Sequence, residues 1–165
     1  MRFTAPEEYG LRCMLQMVRQ APDKSVTINE LAAMESLTPA YIAKLMRILR
    51  KAKLVESTRG QKGGYLLARP ADEINVSEVL KALGGDLHSE EYCTRYSGTA
   101  RRCVHSRDCN VKDLWTSVDQ LISSVLSKCK LTDLVQDKSH IQQWLENNLD
   151  MENASLNLSS DCGSS

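Results

Sequence analysis

Three of the six cysteines lie close together in one polar segment of the chain. Cys93, Cys103 and Cys109 are separated by nine and then five residues, and His88 and His105 lie in the same segment. Thiolates gathered on a polar loop suit soft metals and iron–sulfur clusters. Neighbouring guanidinium groups would lower the thiol pKa values and offset the negative charge of a cluster; here they are Arg95, Arg101, Arg102 and Arg107.

The spacing of these cysteines matches neither a zinc knuckle nor a CxxC pair. Three interpretations therefore remain open from the residues alone: a metal or cluster site, a thiol redox switch, and unreactive cysteines. The segment from 86 to 108 has almost no apolar periodicity and is predicted to be a long loop. Loops of this length inside a compact domain are usually functional.

The other three cysteines carry a weaker signal. Cys13 falls on the apolar face of a predicted helix and is expected to lie in the core. Cys129, near a helix end, and Cys162, near the C-terminus, are expected to be incidental. Six cysteines without a secretion signal favour metal or redox chemistry over structural disulfides.

The charge is distributed unevenly along the 165 residues. Lys plus Arg and Asp plus Glu both total 21, so the formal net charge is zero. Residues 38–69 nevertheless contain eight basic residues against Glu56 alone, which gives that segment a net charge of +7. Such a segment is the electrostatic signature of a polyanionic partner. The simpler alternative is a solvated basic helix face.

The basic segment contains a predicted helix-turn-helix. After a first helix over residues 6–20, Thr27 and Glu30 form a capping box that opens a short second helix. Thr38 and Pro39 then provide the N-cap and first residue of a third helix, over residues 39–52. Its periodicity buries Ile42, Leu45, Met46 and Leu49 and exposes Tyr41, Lys44, Arg47 and Lys51. A short helix followed by a basic one is typical of DNA recognition.

A glycine-rich hairpin is predicted directly after the third helix. Residues 54–57 and 65–68 are expected to be strands, and the connecting segment contains Arg59, Gly60 and Lys62. A basic helix followed by such a hairpin predicts a winged helix, with the helix in the major groove and the wing arginine in the minor groove. The alternative is a winged helix that makes only protein contacts.

The second half of the chain is predicted to mediate dimerisation. Residues 110–128 form a long one-sided helix, with apolar residues at Val111, Leu114, Trp115, Val118, Leu121, Ile122 and Val125. A two-fold dimer seam would cover this stripe and suit a palindromic operator, although packing against its own domain accounts for part of it. A shorter helix is predicted over 131–145, and an acidic disordered tail follows.

The predicted fold is therefore mainly α with a small β wing: a winged helix-turn-helix plus a long C-terminal dimerisation helix. The expected divisions are a DNA-binding domain (1–84), a cysteine loop (85–109), dimerisation helices (110–147) and a tail (148–165). The sequence contains no nucleophile–base pair and no phosphate-binding loop, so an enzyme is not expected. No segment is apolar enough to span a membrane or act as a signal, so a cytoplasmic protein is expected.

The sequence resembles the IscR/NsrR-type bacterial regulators, the Rrf2 family, over about residues 1–145. The resemblance is carried by the opening Met-Arg-Phe-Thr and by the segment from Tyr41 to Val55. It is also carried by Arg-Gly-Gln-Lys-Gly-Gly-Tyr-Leu-Leu at 59–67, and by the three-cysteine loop followed by Asp-Leu-Trp at 113–115. It implies a homodimeric transcription factor that binds a double-stranded DNA operator through Tyr41, Lys44 and Arg59. Its operator affinity would depend on an iron–sulfur cluster held by Cys93, Cys103 and Cys109.

Two departures from the family pattern concern the cluster. The first gap between the cysteines is longer than usual, and Lys112 stands where some members place a histidine ligand. An ammonium has no lone pair to offer a metal. Other members use an acidic residue of the partner's first helix, which makes Glu8 the expected fourth ligand, ahead of Glu7 and His105. The 2Fe–2S form is favoured, and the 4Fe–4S form is compatible with the same ligands.

Overall fold

The fold is described from a computed structural model, which covers residues 4–20, 24–58, 63–84 and 109–156. Three helices come first, α1 (Ala5–Val18), α2 (Ile28–Glu35) and α3 (Pro39–Lys51), and a two-stranded sheet follows, β1 (Val55–Ser57) and β2 (Tyr65–Leu67). The remaining elements are α4 (Val76–Leu83), α5 (Asn110–Lys128), a 3-10 turn (Asp133–Val135) and α6 (Lys138–Leu156). The mainly helical class and the wing-like hairpin are confirmed.

The short helices begin at the predicted caps. Thr27 Oγ1 accepts a hydrogen bond from the Glu30 amide at 3.2 Å, and Glu30 Oε2 accepts one from the Thr27 amide at 2.7 Å. Thr38 Oγ1 accepts from the Tyr41 amide at 3.3 Å, at the start of α3. These side chains satisfy amides that have no partner inside the helix, so they fix where α2 and α3 start.

The core of the first half lies between α1, α2, α3 and α4. Its fully buried side chains include Met14, Leu31, Ile42, Leu45, Met46, Leu49 and Val79. β1 and β2 pair antiparallel, with Val55 opposite Leu67. Val26 adds one bridge to this sheet, since its amide donates to the Tyr65 carbonyl at 2.9 Å and its carbonyl accepts from the Tyr65 amide at 2.8 Å. The hairpin is thereby tied to the segment that precedes α2.

The C-terminal helices are joined to the first half by a second bridge. The Val76 amide donates to the Cys129 carbonyl at 2.9 Å, and the Leu131 amide donates to the Ile74 carbonyl at 3.0 Å. The chain leaving α5 is thus hydrogen-bonded to the chain entering α4.

The structure divides the predicted helix over 131–145 into the 3-10 turn and α6. Helix α6 continues to Leu156, past the predicted start of the tail at 148, and residues 157–165 lie outside the described part of the chain.

Candidate DNA-binding surface and cysteine site

The outer face of α3 carries exposed cations. The opposite face of the helix packs into the core. The exposed basic residues are Lys44, Arg47, Arg50 and Lys51. The Thr38 cap and the buried apolar face fix the position of α3. The four cations are therefore held in fixed positions on its outer surface. Arg69, which the charge count included, instead pairs with Glu78 at 2.5 Å. It fastens the end of the hairpin to α4.

Tyr41 is half-buried, whereas the sequence predicted it to be exposed. Its ring meets the ring of Tyr9 of α1 edge to face, with centroids 6.1 Å apart and planes at 87°. The Arg12 guanidinium lies 5.6 Å from the centroid of the Tyr9 ring. These contacts connect α1 to the N-terminal turn of α3, and the periodicity of either helix alone gives no sign of them.

The base of the wing is held by close backbone contacts. The Thr58 amide donates to the Gly64 carbonyl at 2.9 Å, and the Gly64 amide donates to Thr58 Oγ1 at 3.0 Å. A Cβ at position 64 would lie 2.7 Å from the Val26 carbonyl oxygen. The sequence analysis did not name Gly64 as a functional residue, although the adjacent pair Gly63 and Gly64 indicated that the backbone is closely packed here. The predicted wing contacts Arg59, Gly60 and Lys62 lie in residues 59–62, outside the described chain.

Cys109 lies at the start of α5 as its N-cap residue. Its Sγ accepts a hydrogen bond from the Lys112 amide at 3.4 Å, and the side chain is half-buried. Unlike the buried sulfurs of Cys13 and Cys129, the sulfur of Cys109 is only half-buried. It is therefore accessible to a metal ion bound at the start of α5. Cys93, Cys103 and His105 lie in residues 85–108, outside the described residues.

The two glutamates of the first turn of α1 differ in environment. Glu7 is buried, and its Oε2 accepts from the Thr4 amide at 2.8 Å. Glu8 is about half exposed and pairs with Arg12 at 2.6 Å. Glu8 therefore has a carboxylate that is accessible to a second protein surface, while Glu7 is occupied in capping its own helix. Arg12 is a further residue of this site that sequence reasoning missed.

Cys13 and Cys129 are buried. Burial, with Glu35 nearby, raises the pKa of the Cys13 thiol to about 12. Burial, with Asp133 nearby, raises the pKa of the Cys129 thiol to about 11. Both groups are thus protonated at neutral pH, and the protonated thiol is neither the nucleophile nor the metal ligand. The core placement predicted for Cys13 is confirmed.

Helix α5 has no buried residue within this single chain. Its N-terminal half exposes large apolar side chains: Val111 is 55% exposed, Leu114 57% and Trp115 45%. Contiguous apolar surface of this kind marks an interaction site. The predicted alternative, packing on its own domain, is limited to the C-terminal part of the helix, where α5 contacts α4.

The described part of the chain contains neither a group of metal ligands nor a membrane-spanning helix. No three carboxylate, imidazole or thiol groups among residues 4–20, 24–58, 63–84 and 109–156 lie close enough to hold a metal ion. Within the same ranges, no helix is long and apolar enough to cross a membrane.

Comparison with known proteins agrees with this geometry. Residues 3–137 match the family described as Rrf2, iron-dependent transcriptional regulator. The HTH-type transcriptional regulator IscR of Yersinia pestis bv. Antiqua (strain Angola) is 30% identical over 142 residues, which cover 86% of this chain and 84% of the relative.

Two solved structures share the fold. T. potens IscR has a TM-score of 0.61 and 27% identity, over 82% of this chain and 86% of that one. The oxidised form of Staphylococcus aureus CymR has a TM-score of 0.63 and 26% identity, over 83% of this chain and 98% of that one.

Proposed function

This chain belongs to the Rrf2 family of transcriptional regulators, and from that premise we propose that it is a homodimeric, iron–sulfur-dependent regulator of transcription. Family members are transcriptional regulators and not enzymes, which agrees with the expectation from the sequence. The specific proposal concerns which residues meet DNA, which hold the cluster, and how the two sites are connected.

The DNA-binding step is assigned to α3 and the wing. Lys44 and Arg47 project from the outer face of α3 and would meet the operator in the major groove, with Tyr41 at the start of the same helix. Arg59, Gly60 and Lys62 of the wing would follow the adjacent backbone and minor groove. Phosphate contacts by such cations supply affinity, while contacts to base edges supply sequence specificity.

The cluster is assigned to Cys93, Cys103, Cys109 and Glu8. The observation that carries this assignment is the position of Cys109, whose sulfur lies at the N-terminus of α5 and accepts the Lys112 amide. A bound cluster would supply a redox-active centre that reacts with oxygen or nitric oxide. Cys109 would tie that centre to the start of α5, and Glu8 would tie it to α1 of the partner copy.

The backbone provides a connection from this site to the DNA-binding half. Cys109 begins α5, and at the other end of the same helix the Cys129 carbonyl accepts the Val76 amide at the start of α4. Helix α4 in turn packs on α1 and α3. A displacement of α5 would therefore reach α3 through directly packed elements, and in a two-fold dimer it would change the separation of the two recognition helices.

The test combines iron analysis with DNA binding. Protein purified without oxygen is expected to show sulfide-to-iron absorption bands, whose shape separates the two-iron from the four-iron form. Cys109→Ser is expected to lose bound iron and sulfide, while Cys162→Ser serves as the matched control and retains them. A wild-type sample that stays colourless after anaerobic reconstitution would contradict the proposal.

The fourth ligand has its own test. Glu8→Ala is expected to accelerate cluster loss more than His105→Ala does, because Glu8 offers an accessible carboxylate. The reverse order would move the fourth ligand into the cysteine loop.

A second candidate function is a cluster-free regulator or scaffold controlled by a thiol switch. It is favoured by the likeness to the oxidised form of Staphylococcus aureus CymR. This candidate predicts no iron after reconstitution and a reversible, oxidant-dependent change in operator affinity that Cys109→Ser abolishes. Iron content therefore decides between the two.

A further inference from the structure

The first turn of α3 is exposed, and its surface is largely apolar. Thr38, Pro39 and Ala40 are all exposed. Thr38 Oγ1 is engaged as the helix cap, since it accepts a hydrogen bond from the Tyr41 amide at 3.3 Å. The side chains of Pro39 and Ala40 contain only carbon and hydrogen, so they offer a partner no hydrogen bond. The cations of the helix begin one turn later, at Lys44.

Ala40 lies in line with these cations. Lys44 and Arg47 follow it at i+4 and i+7, and all three residues are exposed, so they form a single row on one face of the helix. The opposite face is the buried one, formed by Ile42, Leu45, Met46 and Leu49. Along the helix axis, Lys44 lies roughly 6 Å beyond Ala40, and Arg47 lies about 10 Å beyond it. A surface that brings these cations onto DNA therefore brings the Ala40 methyl group with it.

The base edges of the major groove contain one apolar group. Adenine, guanine and cytosine present hydrogen-bond donors and acceptors there, whereas thymine adds a C5-methyl group to its O4 acceptor. A methyl side chain placed against a polar base edge removes water from that edge without replacing the hydrogen bond, which costs free energy. Against a C5-methyl group, the same side chain buries apolar surface, which is favourable. An alanine facing the bases therefore selects a methylated pyrimidine.

The sequence of α3 provides no competing readout of the other bases by carboxylate or amide groups. Acidic side chains read the amino group of cytosine, and Asn or Gln reads adenine. None of these residue types occurs between Pro39 and Lys51. Selection by the first turn of α3 therefore depends on apolar contact.

We propose that Ala40 is a specificity-determining residue that selects the C5-methyl group of a thymine in each operator half-site. Lys44 and Arg47, in the same row, supply the attraction that holds this face of α3 against the DNA. Two-fold symmetry makes the contact occur twice in a dimer. This inference rests on the proposed function for DNA binding by α3, and it adds the base that the helix selects.

In vitro selection followed by base substitution tests the proposal. Full-length protein prepared without oxygen first selects binding sites from a randomised double-stranded DNA library. Each thymine of a selected site is then replaced by uracil, symmetrically in both half-sites, which removes only the methyl group. At one thymine position per half-site, affinity is expected to fall about threefold to fourfold for each contact, and about tenfold for the dimer.

A second substitution separates the methyl group of thymine from its O4 acceptor. At the same position, a duplex with 5-methylcytosine should bind more tightly than the duplex with cytosine, by a similar factor. Equal affinities of these two duplexes would overturn the proposal.

Protein variants assign the effect to position 40. Ala40→Gly removes the side-chain methyl group and should bind the thymine and uracil sites equally. Because Ala40 is exposed, this change leaves the core intact, which circular dichroism verifies. The matched control is Ala52→Gly, the same change at the exposed C-cap residue of α3, and it should keep the roughly tenfold preference for thymine.

The outcomes distinguish this inference from the proposed function. Uracil without effect at every thymine, or a uracil effect that persists in Ala40→Gly or disappears in Ala52→Gly, would overturn the role of Ala40 and leave DNA binding by α3 in place. Failure to enrich any sequence would contradict the role of Ala40 and the DNA-binding part of the proposed function together.

Discussion

Replacement of Gly64 by alanine tests whether the wing is held at its base by backbone contact. A Cβ at this position would lie 2.7 Å from the carbonyl oxygen and 2.9 Å from the carbonyl carbon of Val26. Real Cβ atoms essentially never approach backbone atoms so closely. The chain on one side of this contact must therefore move.

The cost of that movement follows from what Val26 holds. Val26 exchanges two backbone hydrogen bonds with Tyr65, at 2.8 and 2.9 Å. Each such bond contributes on the order of 0.5–1.5 kcal/mol, so separation of the two segments costs about 1–3 kcal/mol. Overpacking in well-packed sites costs a similar amount. Gly64 has no positive φ, so contact rather than backbone strain accounts for the loss.

Urea unfolding monitored by circular dichroism measures the loss of stability. Titration with operator DNA at fixed salt measures the change in DNA affinity. Gly64→Ala is expected to be less stable by about 1–3 kcal/mol and to bind DNA more weakly, since the start of β2, which follows residues 59–62 in the chain, is displaced. Ser57→Ala is the control, because Ser57 is exposed on the paired strand. A Gly64→Ala protein with wild-type stability and affinity would refute the reasoning.

Three further predictions concern the surface, the core and a helix cap. Lys44→Ala should reduce the salt dependence of operator binding by about one unit of slope, whereas Arg69→Ala, which breaks the pair with Glu78, should change stability but not this slope. Equal slopes for both variants would contradict the assignment. The unfolding free energy of wild type relative to Cys13→Ala should fall as the pH rises from 9 towards 12, because the folded protein holds the thiol proton with a pKa of about 12. A difference independent of pH would argue against a buried thiol. Thr27→Ala should cost about 1 kcal/mol of stability in thermal unfolding, and a change below the error of measurement would show that the cap is dispensable.

The local elements of this protein were predictable because their signals lie within a few residues of each other. Thr27 and Thr38 are helix caps in the sequence and in the structure. The amphipathic pattern of α3 gave its buried face and its basic face correctly. The one-sided stripe of α5 indicated a helix that its own domain does not cover. The three-cysteine pattern and the glycine-rich hairpin also sufficed to identify the family.

Contacts between distant segments could not be predicted in this way. Tyr41 is half-buried because Tyr9, on a different helix, packs against its ring. Arg69 likewise pairs with Glu78 of α4, nine residues further along the chain, instead of joining the cationic surface. Partner choice among charged side chains depends on which helices pack together, and hydrophobic periodicity carries no information about that choice.

The sequence by itself determined where the helices start and which face of each is apolar, because caps and periodicity act over one or two turns. Only the tertiary structure decided that the chain after α5 pairs with the chain before α4, and that α1, α4 and α6 enclose an apolar groove. Both depend on segments more than fifty residues apart meeting in space, and that meeting is set by the packing of the whole core.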